Sequence, residues 1–479
     1  MNKNGHSTLS EKIDSTVVCQ TSQGTELRGT VVRLTRHLVV FEFYSLDVAL
    51  RMSEVLSPLK IEINSKLAYS GKAVVSNLVN TGALVVCEAQ LAEPWLGADS
   101  LDGVTDPVNL QAGFEQFVSQ WQKFYKIMPE YKRIVADIQT FLTDMRLWLG
   151  QVELNIRSGN AADAPKRERD AAYALEKSTT PAITALFEKF ELAALEIDPD
   201  LRPAHGAFVK RQLHPLLLSS PFLFRTFQKP LGYAGDYEMV NMIMRDPCEG
   251  NSLFAKILNL WFLAQPPAEA HRNRIQYLTD RITEATIKAR AAGRTARILS
   301  LGCGPAGEVQ QFLREKHFSD QAHFTLLDFN EETLAHTRAT LDQLKNDQHR
   351  KTSVEFVKKS VVQIFKEAER KNVPSPEQPY DFVYCAGLFD YLSDAFCQRL
   401  TNILYDWVAP GGLLVTTNVD DSNPRRLTME YVMEWNLIYR NGAQLAAVKP
   451  ERVGNGECTV KSDTTGVNIY FEAEKPKHA

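Results

Sequence analysis

The sequence lacks an excess of charge of one sign, and it lacks a long apolar segment. Its 54 Lys and Arg residues nearly balance 58 Asp and Glu residues, which gives a formal net charge of −4. Such a chain offers no broad positive surface for nucleic acid or for an anionic membrane. No run approaches the roughly 18 apolar residues of a membrane-spanning helix. We therefore expect no transmembrane segment and no nucleic-acid partner.

The cysteines form no metal-binding or disulfide pattern. The seven of them are scattered along the chain, and no two make a CxxC pair. Neither a zinc site nor a disulfide framework is expected, and no metal is predicted. The opening segment MNKNGHSTLSEKIDSTVV has no apolar core of the kind that a secretory signal has. These features predict a cytoplasmic protein with reduced, mostly buried thiols.

Hydrophobic patterning divides residues 1–252 into three segments. Residues 1–92 contain short β-branched runs separated by turn residues, a pattern typical of a small β-barrel. Residues 93–109 are rich in Pro, Gly and Asp and are predicted to be a linker. Between residues 110 and 252 apolar side chains recur every three or four positions, which predicts a helical cap or substrate region.

The remaining residues, 253–479, begin with helical patterns and then alternate between strands and helices. Strands separated by helices of this length indicate a mainly parallel α/β sheet. The last two predicted strands flank a short polar segment at 462–466 and are expected to form an antiparallel hairpin. The expected fold class is α/β, with a Rossmann-like seven-stranded domain, a helical cap region and an N-terminal β-barrel.

A glycine-rich turn follows the first strand of this region, in the segment ARILSLGCGPAGEVQQFL at 296–313. Gly302, Gly304 and Gly307 allow a sharp turn and a close approach of the backbone to a ligand. The next strand ends at Asp328, where a carboxylate can accept hydrogen bonds from both hydroxyls of a ribose. On these residues alone, a nicotinamide-dependent oxidoreductase fits as well.

Two further features favour methyl transfer. The segment VAPGGLLV at 408–415 resembles the turn that enters the fifth strand of class I S-adenosylmethionine-dependent methyltransferases. The terminal hairpin suits the reversed last strand of that fold. Together with LGCGPAGE and LLDFN, these segments resemble that family across most of residues 253–479. The resemblance implies S-adenosylmethionine as cofactor and methyl transfer as the reaction.

The resemblance also implies a set of cofactor-binding residues. They are Gly302, Gly304, Gly307, Asp328, Phe329, Ser360, Val361, Cys385 and Ala386. Asp328 would hold the ribose hydroxyls, and Phe329 would lie beside the adenine. Where the family often has an acidic or amide residue near the adenine amino group, this chain has Ser360. Cys385 and Ala386 follow the fourth strand, where the transferable methyl group lies.

Four residues are candidates for catalysis. Asp390 follows the fourth strand in the segment CAGLFDYL, and it could equally be a helix cap. That segment lacks the asparagine-proline tetrapeptide of amino-group methylases, which weighs against DNA adenine methylation. Tyr233, Asp236 and Tyr237 lie upstream in GYAGDYE. This loop either folds over the cofactor and contacts the acceptor, or it is structural, with Asp236 capping a helix that begins at Tyr237.

The segments GYAGDYEMVNMI and LFAKILNLWFLAQPPAEAHRNRI resemble a bacterial methyltransferase group associated with the biosynthesis of 3-hydroxypalmitic acid methyl ester, a quorum-sensing signal. The resemblance implies a small-molecule or lipid-like acceptor, methylated on a fatty-acid carboxylate. Such a carboxylate is ionised at pH 7 and needs no general base, so alignment and desolvation would dominate catalysis. His271 and Arg272 are candidate anchors for it. The alternative is a non-catalytic signalling module that binds the cofactor or another nucleotide.

The N-terminal barrel faintly resembles a PilZ domain, a family that binds cyclic di-GMP in other proteins. That binding requires an RxxxR arm and a [D/N]xSxxG turn. Here the turn reads NLVNTG at 77–82, with valine in place of serine, and Arg28, Arg33 and Arg36 do not have the spacing of the arm. We therefore expect a degenerate barrel that contacts a protein partner and binds no nucleotide.

Overall fold

The computed structural model describes residues 15–44, 50–63, 66–80, 84–95, 126–158, 161–369, 378–453 and 458–477, together with 111, 114–115 and 118–119. The chain divides into two compact units. The first comprises Met1–Pro129, Ile197–Phe208 and Leu231–Tyr233, and the second comprises the rest. The predicted linker beyond residue 95 and the end of the NLVNTG turn lie outside the described residues. The predicted domain boundaries stay predictions.

The first unit is built on a closed six-stranded barrel. Its strands are β1 Ser15–Gln20, β2 Glu26–Leu34, β3 Leu38–Tyr44, β4 Val55–Ile63, β5 Lys66–Asn80 and β6 Leu84–Leu91. They follow the order β1-β2-β3-β6-β5-β4, and β1 closes the barrel by pairing with both β2 and β4. Alternate residues such as Val17, Phe41 and Ile61 are fully buried inside, as the period of a strand requires.

Helices dominate the chain between the barrel and the second sheet. They are α1 Pro129–Arg157, α2 Ala164–Leu195, α3 Arg202–Leu217, α4 Pro221–Gln228, α5 Tyr237–Met244, α6 Leu253–Leu263 and α7 Pro266–Ala291. Helix α6 is apolar except for Lys256 and Asn259 and is almost wholly buried. It packs against α2 through Phe187 and Trp261, whose ring centroids lie 4.6 Å apart. Helices α4 and α6 are capped by the preceding Ser220 and Ser252, whose hydroxyls accept hydrogen bonds from amides of the first turn.

The second unit contains a seven-stranded sheet in the order β12-β13-β11-β10-β7-β8-β9. Its strands are β7 Ala296–Leu301, β8 Ala322–Asp328, β9 Ser353–Lys358, β10 Tyr380–Cys385, β11 Val408–Val419, β12 Cys458–Ser462 and β13 Asn468–Glu474. Strands β7 to β11 are mutually parallel, and the hairpin β12–β13 joins β11 in the antiparallel sense. The remaining helices are α8 Gly307–Glu315, α9 Glu331–Asp347, α10 Val361–Glu369, α11 Asp394–Asp406, α12 Arg426–Val432 and α13 Gly442–Ala447.

The predicted fold class is confirmed. Near-continuous apolar runs such as Ile298–Leu301 are buried on both faces of the sheet, and two apolar clusters lie on its two sides. No described helix combines the length and apolar character of a membrane span. Among the described residues, no group of three or more His, Cys, Asp or Glu side chains is arranged to hold a metal ion.

Candidate functional site

The sheet order brings most of the predicted cofactor-binding residues to one edge. Strands β10, β7, β8 and β9 are consecutive parallel neighbours, so their carboxyl ends lie side by side. Gly302 and Gly304 follow β7, Asp328 ends β8, Ser360 follows β9, and Cys385 ends β10. In open α/β sheets ligands bind in the crevice outside this edge. We take this edge as the candidate site.

The glycine turn after β7 leaves room for a ligand. Gly302 and Gly304 adopt φ angles of 69° and 51°, in the left-handed region that favours glycine. A Cβ atom at either position would meet no other atom within 4 Å. The amides of Gly302 and Cys303 donate to the Leu327 carbonyl at 2.8 and 3.0 Å, which fixes the turn against β8. The open space therefore belongs to a turn whose backbone is held in place.

Gly307 has a different role from the other two glycines. It begins α8, and a Cβ atom there would lie 2.9 Å from Cδ1 of Ile275 on α7. The missing side chain lets the two helices pack closely, which is a known use of the third glycine in such turns. We therefore assign Gly307 a role in helix packing, and its predicted cofactor contact stays a prediction.

Gly307→Ala is expected to lower the free energy of unfolding by about 1–3 kcal/mol, because the added methyl group overpacks the contact with Ile275. Urea unfolding followed by circular dichroism measures this change. Gly150→Ala is the matched control: Gly150 lies inside α1 with nothing within 4 Å of its Cβ position, so alanine there should stabilise the helix. A Gly307→Ala protein as stable as the wild type would contradict the packing role.

Asp328 fastens the glycine turn to the start of α9. Its buried carboxylate accepts hydrogen bonds from the amides of Gly304 at 3.2 Å and Asn330 at 3.0 Å. Asn330 in turn caps α9, and the Thr337 hydroxyl donates to the Gly304 carbonyl at 2.7 Å. A carboxylate oxygen can accept more than one hydrogen bond. The half-buried Phe329 follows directly.

At the end of β9, the polar groups of Ser360 are hydrogen-bonded within the chain. The Ser360 hydroxyl accepts from the Gln363 amide at 3.3 Å, and the Gln363 side chain accepts from the Ser360 amide at 2.8 Å. This reciprocal pair is a capping box at the start of α10. Val361 is half-buried and packs against the core on one side of the sheet. The adenine contact predicted for Ser360 and Val361 stays a prediction, and the capping role of Ser360 is an addition to it.

At the end of β10, Cys385 and Ala386 are packing residues, and Asp390 carries a buried titratable carboxyl. Cys385 is fully buried, and burial raises the pKa of its thiol well above the usual range, as it does for Cys303. Ala386 packs partly against the core. Burial raises the pKa of the Asp390 carboxyl to about 6, although the Val419 amide donates to its Oδ1 at 2.6 Å. Within the described part of the chain no group donates to its other oxygen.

Asp236 is the cap of α5, and it also forms a buried ion pair that the sequence did not predict. Its Oδ1 accepts from the Met239 amide at 2.8 Å. The guanidinium of Arg225 donates to both carboxylate oxygens, at 2.9 and 2.7 Å. Both oxygens of this side chain, which is 1% exposed, are thus used to hold α5 against α4. We therefore assign Asp236 a structural role, and its predicted catalytic role stays a prediction.

Gly235 and Tyr237 connect the loops that follow two different strands. A Cβ atom at Gly235 would lie 2.7 Å from the hydroxyl oxygen of Tyr391, beyond the end of β10. The Tyr237 hydroxyl donates to Glu332 at 2.9 Å, and its ring centroid lies 4.5 Å from that of His336, both on α9 beyond the end of β8. Strand β7 lies between β10 and β8. The segment therefore passes over the edge at which the glycine turn lies.

Tyr233 belongs to the other compact unit. The backbone carbonyl of Gly232 accepts from the Val55 amide at 2.8 Å, and a Cβ atom at Gly232 would lie 2.4 Å from that of Ser22. The guanidinium carbon of Arg51 lies 5.9 Å from the centre of the Tyr233 ring. These contacts tie Leu231–Tyr233 to the barrel strands. A catalytic role for Tyr233 stays a prediction.

The candidate anchors for a carboxylate are not available to one. Arg272 uses its donors on Glu269 and on the carbonyls of Ile243 and Leu263. Burial and, to a smaller extent, the neighbouring Arg274 lower the pKa of His271 to about 3, so its imidazole is neutral at pH 7. Arg274, which is buried on the same helix, was not among the residues predicted for the site.

Residues 298–412 match the methyltransferase domain family. The methyltransferase domain match runs from β7 into β11, so it includes the glycine turn, Asp328 and the loop after β10. No protein of curated function matches the chain.

Solved structures resemble the chain at low identity. One is a possible exported protein from Bordetella parapertussis, with 17% identity over 53% of this chain and 86% of that one, at a TM-score of 0.40. Another is the N-methyltransferase NodS from Bradyrhizobium japonicum in complex with S-adenosyl-L-homocysteine, with 14% identity over 53% and 99% and a TM-score of 0.31. A third is an O-methyltransferase family protein from Burkholderia thailandensis, with 14% identity over 59% and 75% and a TM-score of 0.32.

Proposed function

We propose that this chain is an S-adenosylmethionine-dependent methyltransferase whose site lies at the carboxyl edge of strands β10, β7 and β8. The observation that carries the proposal is Asp328, a buried carboxylate beside a glycine turn that faces open space, inside the segment that matches the methyltransferase domain family. A nicotinamide dinucleotide also contains ribose, but the family match favours the methyl donor.

The residues present fit this cofactor. Gly302 and Gly304 allow the main chain to approach it, and Asp328 accepts hydrogen bonds from its ribose hydroxyls. Phe329 lies next to Asp328, on the side on which we place the adenine. When bound, S-adenosylmethionine supplies an electrophilic methyl group on a sulfonium. The segment from Gly235 to Tyr237 covers the edge and limits the access of water.

We propose a fatty-acid carboxylate, of the 3-hydroxy acid type, as the acceptor, with a methyl ester as product. Support comes from the GYAGDYEMVNMI resemblance, since Gly235 and Tyr237 of that segment lie over the edge of the sheet. A carboxylate is ionised at neutral pH, so the protein has only to align it with the methyl group and remove water. No proton has to be removed from such an acceptor, so Asp390 is not needed as a general base. Any contribution of Asp390 to catalysis then comes from its charge.

Purified protein incubated with methyl-deuterated S-adenosylmethionine and 3-hydroxypalmitate tests this proposal. We expect the deuterated methyl ester, with an equal amount of S-adenosylhomocysteine, by mass spectrometry. Palmitate and 3-hydroxypalmitamide are matched acceptors that lack the hydroxyl and the carboxylate, respectively. A labelled methyl ether would contradict the carboxylate as acceptor. Cofactor binding without any labelled product from these acids or from lipid extracts would favour the non-catalytic signalling module.

A further inference from the structure

Arg274 is a buried cation at the candidate site. It lies on α7, and its side chain is 8% exposed. A Cβ atom at Gly387, two residues beyond the end of β10, would lie 3.0 Å from Nη1 and 3.3 Å from Nη2 of Arg274. The guanidinium therefore lies directly against the Gly387 backbone, at the same sheet edge as the glycine turn.

This guanidinium has no acceptor in the part of the chain that the structure describes, where Arg274 forms no hydrogen bond, ion pair or ring contact. Two buried carboxyls lie near enough for its charge to counteract the rise that burial causes in their pKa: Glu308 and Asp390. Each of them is hydrogen-bonded elsewhere, Glu308 to the Tyr384 hydroxyl and Asp390 to the Val419 amide. A buried cation without an acceptor is unfavourable, so a ligand group is the natural partner.

Other arginines of the second unit show how the fold normally treats this side chain. On the same helix, Arg272 and Arg281 each pair with acidic side chains. Arg440 is even more deeply buried than Arg274, and its nitrogens donate to Asp394, to Asn418 and to backbone carbonyls. Arg274 differs from all three because its donors are unused. The difference lies at the sheet edge where we place the ligands.

We propose that Arg274 forms a subsite for the carboxylate of a bound ligand. The planar guanidinium matches a carboxylate with two parallel hydrogen bonds, and burial strengthens that pair. The proposal rests on the proposed function, which offers two sources for this chemistry. One is the amino-acid carboxylate of S-adenosylmethionine, and the other is the carboxylate of the acceptor.

Calorimetric titrations of the full chain separate these sources. The proteins are the wild type, Arg274→Gln, Arg274→Lys and the control Arg290→Gln, an exposed arginine on the same helix. The first ligand pair is S-adenosylmethionine and its decarboxylated form, and the second is 3-hydroxypalmitate and its methyl ester. In each pair only one member has a free carboxylate.

Arg274→Gln is expected to weaken binding of the carboxylate-bearing member of one pair by about 10- to 100-fold, and to change binding of the other member by less than about twofold. A loss confined to S-adenosylmethionine assigns the subsite to the cofactor, and a loss confined to 3-hydroxypalmitate assigns it to the acceptor. Arg274→Lys should recover part of the affinity, since it keeps the charge and loses the planar fork.

Equal effects on both members of each pair, or no effect on any ligand, would overturn the subsite. If Arg274→Gln does not fold, titrations of the wild type still test the subsite. Equal affinity of the wild type for both members of each ligand pair also overturns it. The two proposals can fail separately. A wild type that binds S-adenosylmethionine without any preference for carboxylates overturns the subsite alone, whereas one that binds no ligand of either pair overturns both.

Discussion

Asp328→Ala is expected to weaken the binding of S-adenosylmethionine by at least about 100-fold. The ribose loses two hydrogen bonds to an ionised group, each of which contributes about 1.5–3 kcal/mol. Asp328→Asn should weaken binding less than Asp328→Ala, because the asparagine amide has the shape of the carboxylate and keeps one acceptor oxygen. Calorimetric titration of the folded variants measures the change.

A structural effect must be separated from the loss of ribose contacts, because Asp328 also accepts from the amides of Gly304 and Asn330. Asp320→Asn is the matched control. Asp320 also accepts a main-chain amide, that of Lys351, as well as the Thr352 hydroxyl, and lies before the opposite end of β8. The Asp320→Asn protein should be less stable than the wild type and should bind S-adenosylmethionine with unchanged affinity. A folded Asp328→Ala protein that binds the cofactor like the wild type would refute the ribose assignment.

Asp236→Ala is expected to lower the free energy of unfolding by about 3–5 kcal/mol, since it leaves the largely buried Arg225 without its partner. About 1 kcal/mol of this is the lost helix cap. Asp236→Asn and Asp236→Ser keep a capping oxygen but not the charge, so each should be destabilised by less than the alanine variant. Denaturant unfolding measures all three.

A double-mutant cycle isolates the ion pair from the cap. Arg225→Gln combined with Asp236→Asn should destabilise by less than the sum of the single variants, because no unpaired charge remains. Turnover, measured alongside, distinguishes the structural role from a catalytic one. An Asp236→Ser protein with wild-type stability and no activity would support the catalytic role that the sequence predicted.

Local patterns predicted the fold of the second unit well. The strand predicted before the glycine turn appears as β7 Ala296–Leu301, and the predicted terminal hairpin appears as β12 and β13. Gly302, Gly304 and Asp328 were also accessible to the sequence, because a strand, a tight turn and a helix follow one another within about 30 residues of chain in this motif. Such features depend on neighbours in sequence.

Contacts between distant segments could not be predicted in the same way. The pairing of Arg225 with Asp236 depends on how α4 packs against α5, and the position of Arg274 depends on how α7 lies on the sheet. A signal for Arg274 did exist. It precedes the buried Leu278 and Ile282 by four and eight positions, so it shares their helix face.

We propose S-adenosylmethionine binding at the sheet edge that runs from the glycine turn to the end of β10. Calorimetric titration of the full chain with S-adenosylmethionine, and separately with oxidised nicotinamide adenine dinucleotide, tests it most directly. We expect saturable binding of S-adenosylmethionine, weakened at least about 100-fold by Asp328→Ala, and no binding of the dinucleotide. Binding of the dinucleotide without binding of S-adenosylmethionine would contradict it.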